Sequence, residues 1–119
     1  MGAYEPQFLY GDVITGTASA TIVGGQTLIV SGNGTVGPAT ATSPAVIGVA
    51  AYDAANTEDV SYFPRGKVHI STASGSITAG ARVDSGAAGT VASGAASVNN
   101  IGIALTTAAD TALVTWMEI

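Results

Sequence analysis

The sequence predicts an all-β protein built from two copies of one small unit. The main observation is an internal echo. The stretch Ile47–Phe63, IGVAAYDAANTEDVSYF, returns about 54 positions later as Ile101–Met117, IGIALTTAADTALVTWM. Ile47/Ile101, Gly48/Gly102, Ala50/Ala104, Ala54/Ala108, Ala55/Ala109, Thr57/Thr111 and Val60/Val114 are identical, and Tyr62 is answered by Trp116. Upstream, SGNGTV at Ser31–Val36 is answered by SGAAGTV at Ser85–Val91, with one residue inserted. A second observation is that short apolar runs rich in Val and Ile are broken every few residues by Gly, Pro, Asn or Ser, the spacing of strands and turns. The third is that no segment sustains a 3.6-residue period.

A chain of 119 residues fits one domain. A repeat of about 54 residues is too long for a solenoid unit and reads as two halves of one barrel or sandwich. The boundaries drawn from the sequence are an extended N-terminal arm over residues 1–10 and a β domain over 11–119, with repeats at about 25–70 and 80–119.

Within the domain, Asp12–Thr15 and Ala20–Val23 are possible strands, and Thr27–Val30 is a compact apolar one. Asn33-Gly34 signals a hairpin of type I′, because both residues tolerate positive φ. Val46–Tyr52 reads as a buried strand, Asp53–Thr57 as a turn and Asp59–Phe63 as the returning strand. Pro64 has no N–H to donate to a ladder and marks a bulge, corner or edge. Lys67–Ser71 resumes with Val68 and Ile70 on one face and Lys67, His69 and Ser71 on the other. Ala81–Asp84, Thr90–Ala92, Asn100–Leu105 and Ala112–Met117 complete the second half, and Gly94–Val98 has room for one helical turn.

Composition excludes several functions. Only 9% of residues are charged and the net charge is −5, with Arg65, Lys67 and Arg82 as the fixed cations. Nucleic acid requires a basic footprint that this chain lacks, and an anionic membrane surface would repel it. There is no cysteine, hence no disulfide and no thiolate chemistry. With so many Ala and Gly, each buried position contributes little apolar area, so oligomerisation or docking on a larger body is expected to supply part of the stability.

No motif carries catalysis or a cofactor. Gly32-Asn33-Gly34-Thr35-Val36-Gly37 matches GxGxxG, but Pro38 and a Thr/Ala loop follow where a helix is required. Asn33-Gly34-Thr35 is a glycosylation sequon without a secretory signal. His69 is the sole histidine, has no second ligand for a transition metal, and reads as a surface residue. Asp53, Glu58 and Asp59 gather in one turn without the spacing of a calcium loop; their counterparts Thr107, Ala112 and Leu113 are uncharged, so the group reads as a solvated turn. No GxSxG elbow or triad context exists.

Two groups of aromatics remain. Tyr4, Phe8 and Tyr10, with Pro6 and Leu9, crowd into a segment too irregular for a core and read as partner-binding anchors. Tyr52, Tyr62 and Trp116 are candidates for core or oligomer packing.

The stretches Ile77–Gly94, Asn100–Trp116 and Ala45–Ile70 (AVIGVAAYDAANTEDVSYFPRGKVHI) resemble the capsid cement or head decoration proteins of tailed bacteriophages, the lambda-type proteins included. The resemblance spans residues 11–119. It implies a non-enzymatic virion protein, made in the host cytoplasm, with a small-barrel or β-tulip-like fold. Such a protein binds the capsid exterior as a homotrimer and cements the lattice of the major capsid protein, without cofactor, nucleic acid or membrane. The resemblance also implies that the N-terminal segment reaches the capsid, which would give Tyr4, Pro6, Phe8, Leu9 and Tyr10 that contact. The rival readings are another virion β module, such as a head fibre base or tail component, and a carbohydrate-binding surface module with Tyr52, Tyr62 and Trp116 as its platforms.

Overall fold

In a computed structural model of the chain, which describes residues 13–94 and 99–119, ten strands form two closed five-stranded barrels. The first holds β1 (Ile14–Ala18), β2 (Thr27–Gly32), β3 (Thr35–Pro38), β4 (Val46–Ala50) and β5 (Asp59–Pro64). The second holds β6 (Val68–Ser74), β7 (Arg82–Ser85), β8 (Val91–Ser93), β9 (Gly102–Ala104) and β10 (Leu113–Glu118). A 3₁₀ turn at Ala87–Gly89 is the one helical piece among the described residues. Residues 1–10 and most of Gly94–Val98 lie outside the described residues.

Each barrel runs in the same strand order. The first goes β1-β3-β2-β4-β5 and back to β1; the second goes β6-β8-β7-β9-β10 and back to β6. Closure needs one parallel pair per barrel, Thr17↔Thr35 with Ala18↔Val36 in the first and Ala73↔Val91 with Ser74↔Ala92 in the second. The two repeats are therefore not halves of one barrel. Each repeat closes its own, and the barrels start at β1 and β6, before the stretches where the sequence echo is audible. The opening strands ITGTA and VHISTAS share too little sequence to show it.

The duplication is clearest inside. The first core comprises Ala18, Ile22, Leu28, Val36, Ala50, Ala54, Val60 and Tyr62. The second places Ala73, Ile77, Val83, Val91, Ala104, Ala108, Val114 and Trp116 at the same eight structural positions. Small residues dominate because so narrow a barrel has room for one large ring, and Tyr62 and Trp116 fill that place in turn.

The expected Ala20–Val23 strand contracts to a single bridge, Ile22↔Ala54, matched by Ile77↔Ala108 in the second barrel. Asn33-Gly34 does turn β2 into β3, but only Gly34 has positive φ (73°). The turn is thus not type I′, and the register shifts between Val30 and Gly32 to absorb the difference. In the second barrel the inserted residue becomes the 3₁₀ turn.

Backbone bonds repeat with the same fidelity. Thr57 and Thr111 both take positive φ (76° and 67°), and their amides donate to Ala18 O at 2.8 Å and Ala73 O at 2.9 Å. Side chains that differ can keep the same bond. Gly24 N donates to Asp53 Oδ1 at 2.8 Å, and the corresponding Ala79 N donates to Thr107 Oγ1 at 3.0 Å. Ser61 N donates to the Tyr52 hydroxyl at 3.1 Å, and Thr115 N donates to Thr106 Oγ1 at 3.0 Å.

Gly48 and Gly102 mark the closest strand contact. A β-carbon at Gly48 would collide with the Phe63 carbonyl oxygen; one at Gly102 would collide with the Met117 carbonyl oxygen and lie 2.7 Å from Trp116 Cε3. The glycine is required for space at both sites. Replacing either by Val is expected to cost about 1–3 kcal/mol, because strand and ring must move apart in a packed core. The check is urea denaturation: a clear fall in midpoint in both variants is expected, and unchanged midpoints would contradict the close approach.

Candidate interaction surfaces

The two barrels are joined through side chains as well as through the 65–67 link. Ala39, Val46 and Val49 of the first barrel belong to the apolar cluster of the second. Thr42 N donates to Ser85 O at 2.8 Å, Gly89 N donates to Ala39 O at 2.9 Å, and the Ser85 hydroxyl donates to Thr40 O at 2.7 Å. A buried relay crosses the joint: Trp116 Nε1 donates to Ser71 Oγ at 3.0 Å, and Ser71 Oγ donates to Gly25 O at 2.8 Å.

Beside the relay, the rings of Phe63, His69 and Trp116 line up, with centroids 6.2 Å and 5.4 Å apart. His69 is not a surface residue: it is 8% exposed, with Nε2 3.2 Å from Glu118 Oε1. Arg65 from the link approaches the other Glu118 oxygen at 3.8 Å and donates to Ile119 O at 3.1 Å. In β6 the polar alternate residues His69 and Ser71 point inward, because Glu118 and Trp116 give them partners there. Val68 and Ile70 consequently face outward.

The residues proposed from sequence separate into three situations. Tyr4, Pro6, Phe8, Leu9 and Tyr10 lie outside the described residues. Tyr62 and Trp116 lie inside the barrels. Tyr52 is 48% exposed, and its hydroxyl is held by Ser61, from whose amide it accepts and to whose Oγ it donates at 3.2 Å. The three rings do not form one platform, since two of them are enclosed in separate barrels. The acidic turn has structural work for two of its carboxylates: Asp53 accepts from Gly24 N, and Glu58 Oε1 accepts from Ala55 N at 2.8 Å.

Sequence reasoning missed the outer face of the second barrel. Large apolar residues stand outward on β10 and β6: Leu113 is 68% exposed, Ile70 59% and Val68 57%. The available signal was that alternation in Val68–Ser74 fits either face, so the polar side did not have to be the wet one.

The fold is shared with a solved structure, the head fibre gp8.5 N base of bacteriophage phi29. The TM-score is 0.72 at 20% sequence identity, covering 91% of this chain and 93% of that one. The family profile of the phage cement proteins matches residues 10–119. The chain belongs to the phage cement protein family. It is thus a capsid-associated structural protein of the bacteriophage virion. No curated protein sequence matches the chain significantly.

One measurement probes the joint and a second the core of the first barrel. Ser71→Ala leaves the buried Trp116 indole N–H without its acceptor and is expected to cost about 1–3 kcal/mol, read by thermal unfolding; an unchanged midpoint would show that the relay holds nothing together. The Tyr62 phenol, removed from water, has its pKa raised above its ordinary value of 10.0. Its contribution to stability is therefore complete below pH 10 and is lost as pH rises through the folded value. Tyr62→Phe is expected to flatten that part of the alkaline stability slope, and an identical slope in both proteins would contradict the assignment.

Proposed function

We propose that this cement-family protein binds the outer surface of a phage capsid, as a homotrimer, and holds neighbouring major capsid proteins together. The observation that carries the reading is the family match over residues 10–119. The architecture supports it: two barrels tied by buried hydrogen bonds and a shared apolar cluster make a stiff body suited to bridging lattice subunits. Attachment at many symmetric sites turns modest contacts into a strong one. Mixing the purified protein with expanded capsids that lack it tests this directly. Co-sedimentation to a saturating ratio and a higher rupture temperature of the shell are expected; failure to co-sediment would sink the reading.

The proposal assigns the capsid contact to Tyr4, Pro6, Phe8, Leu9 and Tyr10. Their apolar area, if buried on the shell, contributes at roughly 25 cal/mol per Å² before the ordering cost is subtracted. Deleting residues 2–10 is expected to leave the thermal midpoint nearly unchanged and to weaken capsid binding at least about tenfold, or about 1.4 kcal/mol per subunit. If the truncated protein unfolds, yet binds no worse per folded molecule, the segment belongs to the folded domain instead.

The similarity to a head fibre base favours a second reading, in which the two barrels anchor an appendage to the head. Electron microscopy of decorated capsids separates the two: density filled by the 119 residues supports cement, and a further projection supports a fibre base.

A further inference from the structure

The two barrels share strand order but differ in part of their outer faces. In the second barrel, register places Ile103, Met117 and Val68 in one row across β9, β10 and β6. Ile70 stands opposite Thr115 in the next row, with Leu105 N bonded to Thr115 O, and Leu113 stands opposite Thr72 beyond it. Val23, 52% exposed, adds to this face from the first barrel, lining with Ile70 and Leu113 a cleft of about 230 Å³. In the first barrel the row matching Ile103, Met117 and Val68 is also apolar, with Val49, Phe63 and Val13, but the next two pair Thr15 with Ser61 and Thr17 with Asp59. The fold therefore tolerates polar residues at the places of Ile70 and Leu113, where the first barrel has Thr15 and Asp59, and the aliphatic side chains there belong to the second barrel alone.

Charge indicates what covers it. The chain carries −5, and of the exposed carboxylates, Asp53, Glu58 and Asp59 sit on the first barrel, while Asp110, held by Gly75 N at 2.7 Å, sits in the turn before β10 at the end of the face. The β9–β10–β6 face has no charged side chain; Arg82, paired with Ile103 on β7, stands at its border. Two identical acidic molecules repel wherever their carboxylates approach, and least where an uncharged face of one meets the other. An apolar strip of this kind on a soluble protein marks an interaction site.

We propose that the outer face of β9, β10 and β6 is the surface by which one copy of this chain binds a second copy. In a three-fold assembly these faces turn toward the shared axis and the acidic first barrels stand away from it. The inference rests on the homo-oligomer proposed above and names its interface.

Sedimentation equilibrium of the full chain, over about 1 to 100 µM, tests it with Ile70→Asp, Leu113→Lys and, as a control on the matching face of the first barrel, Thr15→Lys. The wild type and the control are expected at a multiple of 11.6 kDa, and both face variants at 11.6 kDa with at least a tenfold loss in association. Circular dichroism confirms that each exposed substitution leaves the fold intact; two positions are used so that one misfolded variant does not decide the result. A wild type at 11.6 kDa throughout overturns the proposal together with the free oligomer, while capsid co-sedimentation still reports on the cement reading separately. Face variants that keep the wild-type mass overturn the interface and leave the oligomer standing. If they keep the mass but lose capsid co-sedimentation, the face belongs to the lattice contact.

Discussion

Everything in this molecule depends on closing a barrel with only five short strands. A ring so narrow forces carbonyl groups into the space a side chain would use, which is why Gly48 and Gly102 stand against the strands that follow them. It also limits the interior to small residues and one aromatic ring. A composition rich in Gly, Ala, Ser and Thr is thus what the geometry requires. The thin cores that result are then joined, each barrel borrowing stability from the other.

That joining is where the two repeats stop being equivalent. Tyr62 and Trp116 fill matching places, but only the indole has an N–H that Ser71 passes on to Gly25 of the other barrel. Glu118 draws His69 inward, and the link residue Arg65 approaches the same carboxylate. Once β6 has spent its inward positions on polar partners, its aliphatic residues are left outside. The apolar outer face and the polar joint are two sides of one strand.

Much of this was legible in the sequence. The echo between Ile47–Phe63 and Ile101–Met117 named core pairs such as Ala54/Ala108 and Val60/Val114, and it named the crowded glycines, because these positions have little freedom to drift. Closure was not legible. It depends on the parallel pairs β1–β3 and β6–β8, which leave no turn signal and link segments far apart in the chain. His69 was misjudged because alternation shows which residues share a face and not which face is inside. The bond kept by Asp53 and Thr107 was hidden for another reason: a backbone donor needs an acceptor oxygen, and either side chain supplies one.

Both sheets close on themselves, so among the described strands none presents a free row of amides and carbonyls. An open sheet at high local concentration can recruit its neighbour strand by strand and grow into fibrils. Here the described strands offer a neighbouring molecule side chains and no free edge, which blocks that route to aggregates that grow without limit.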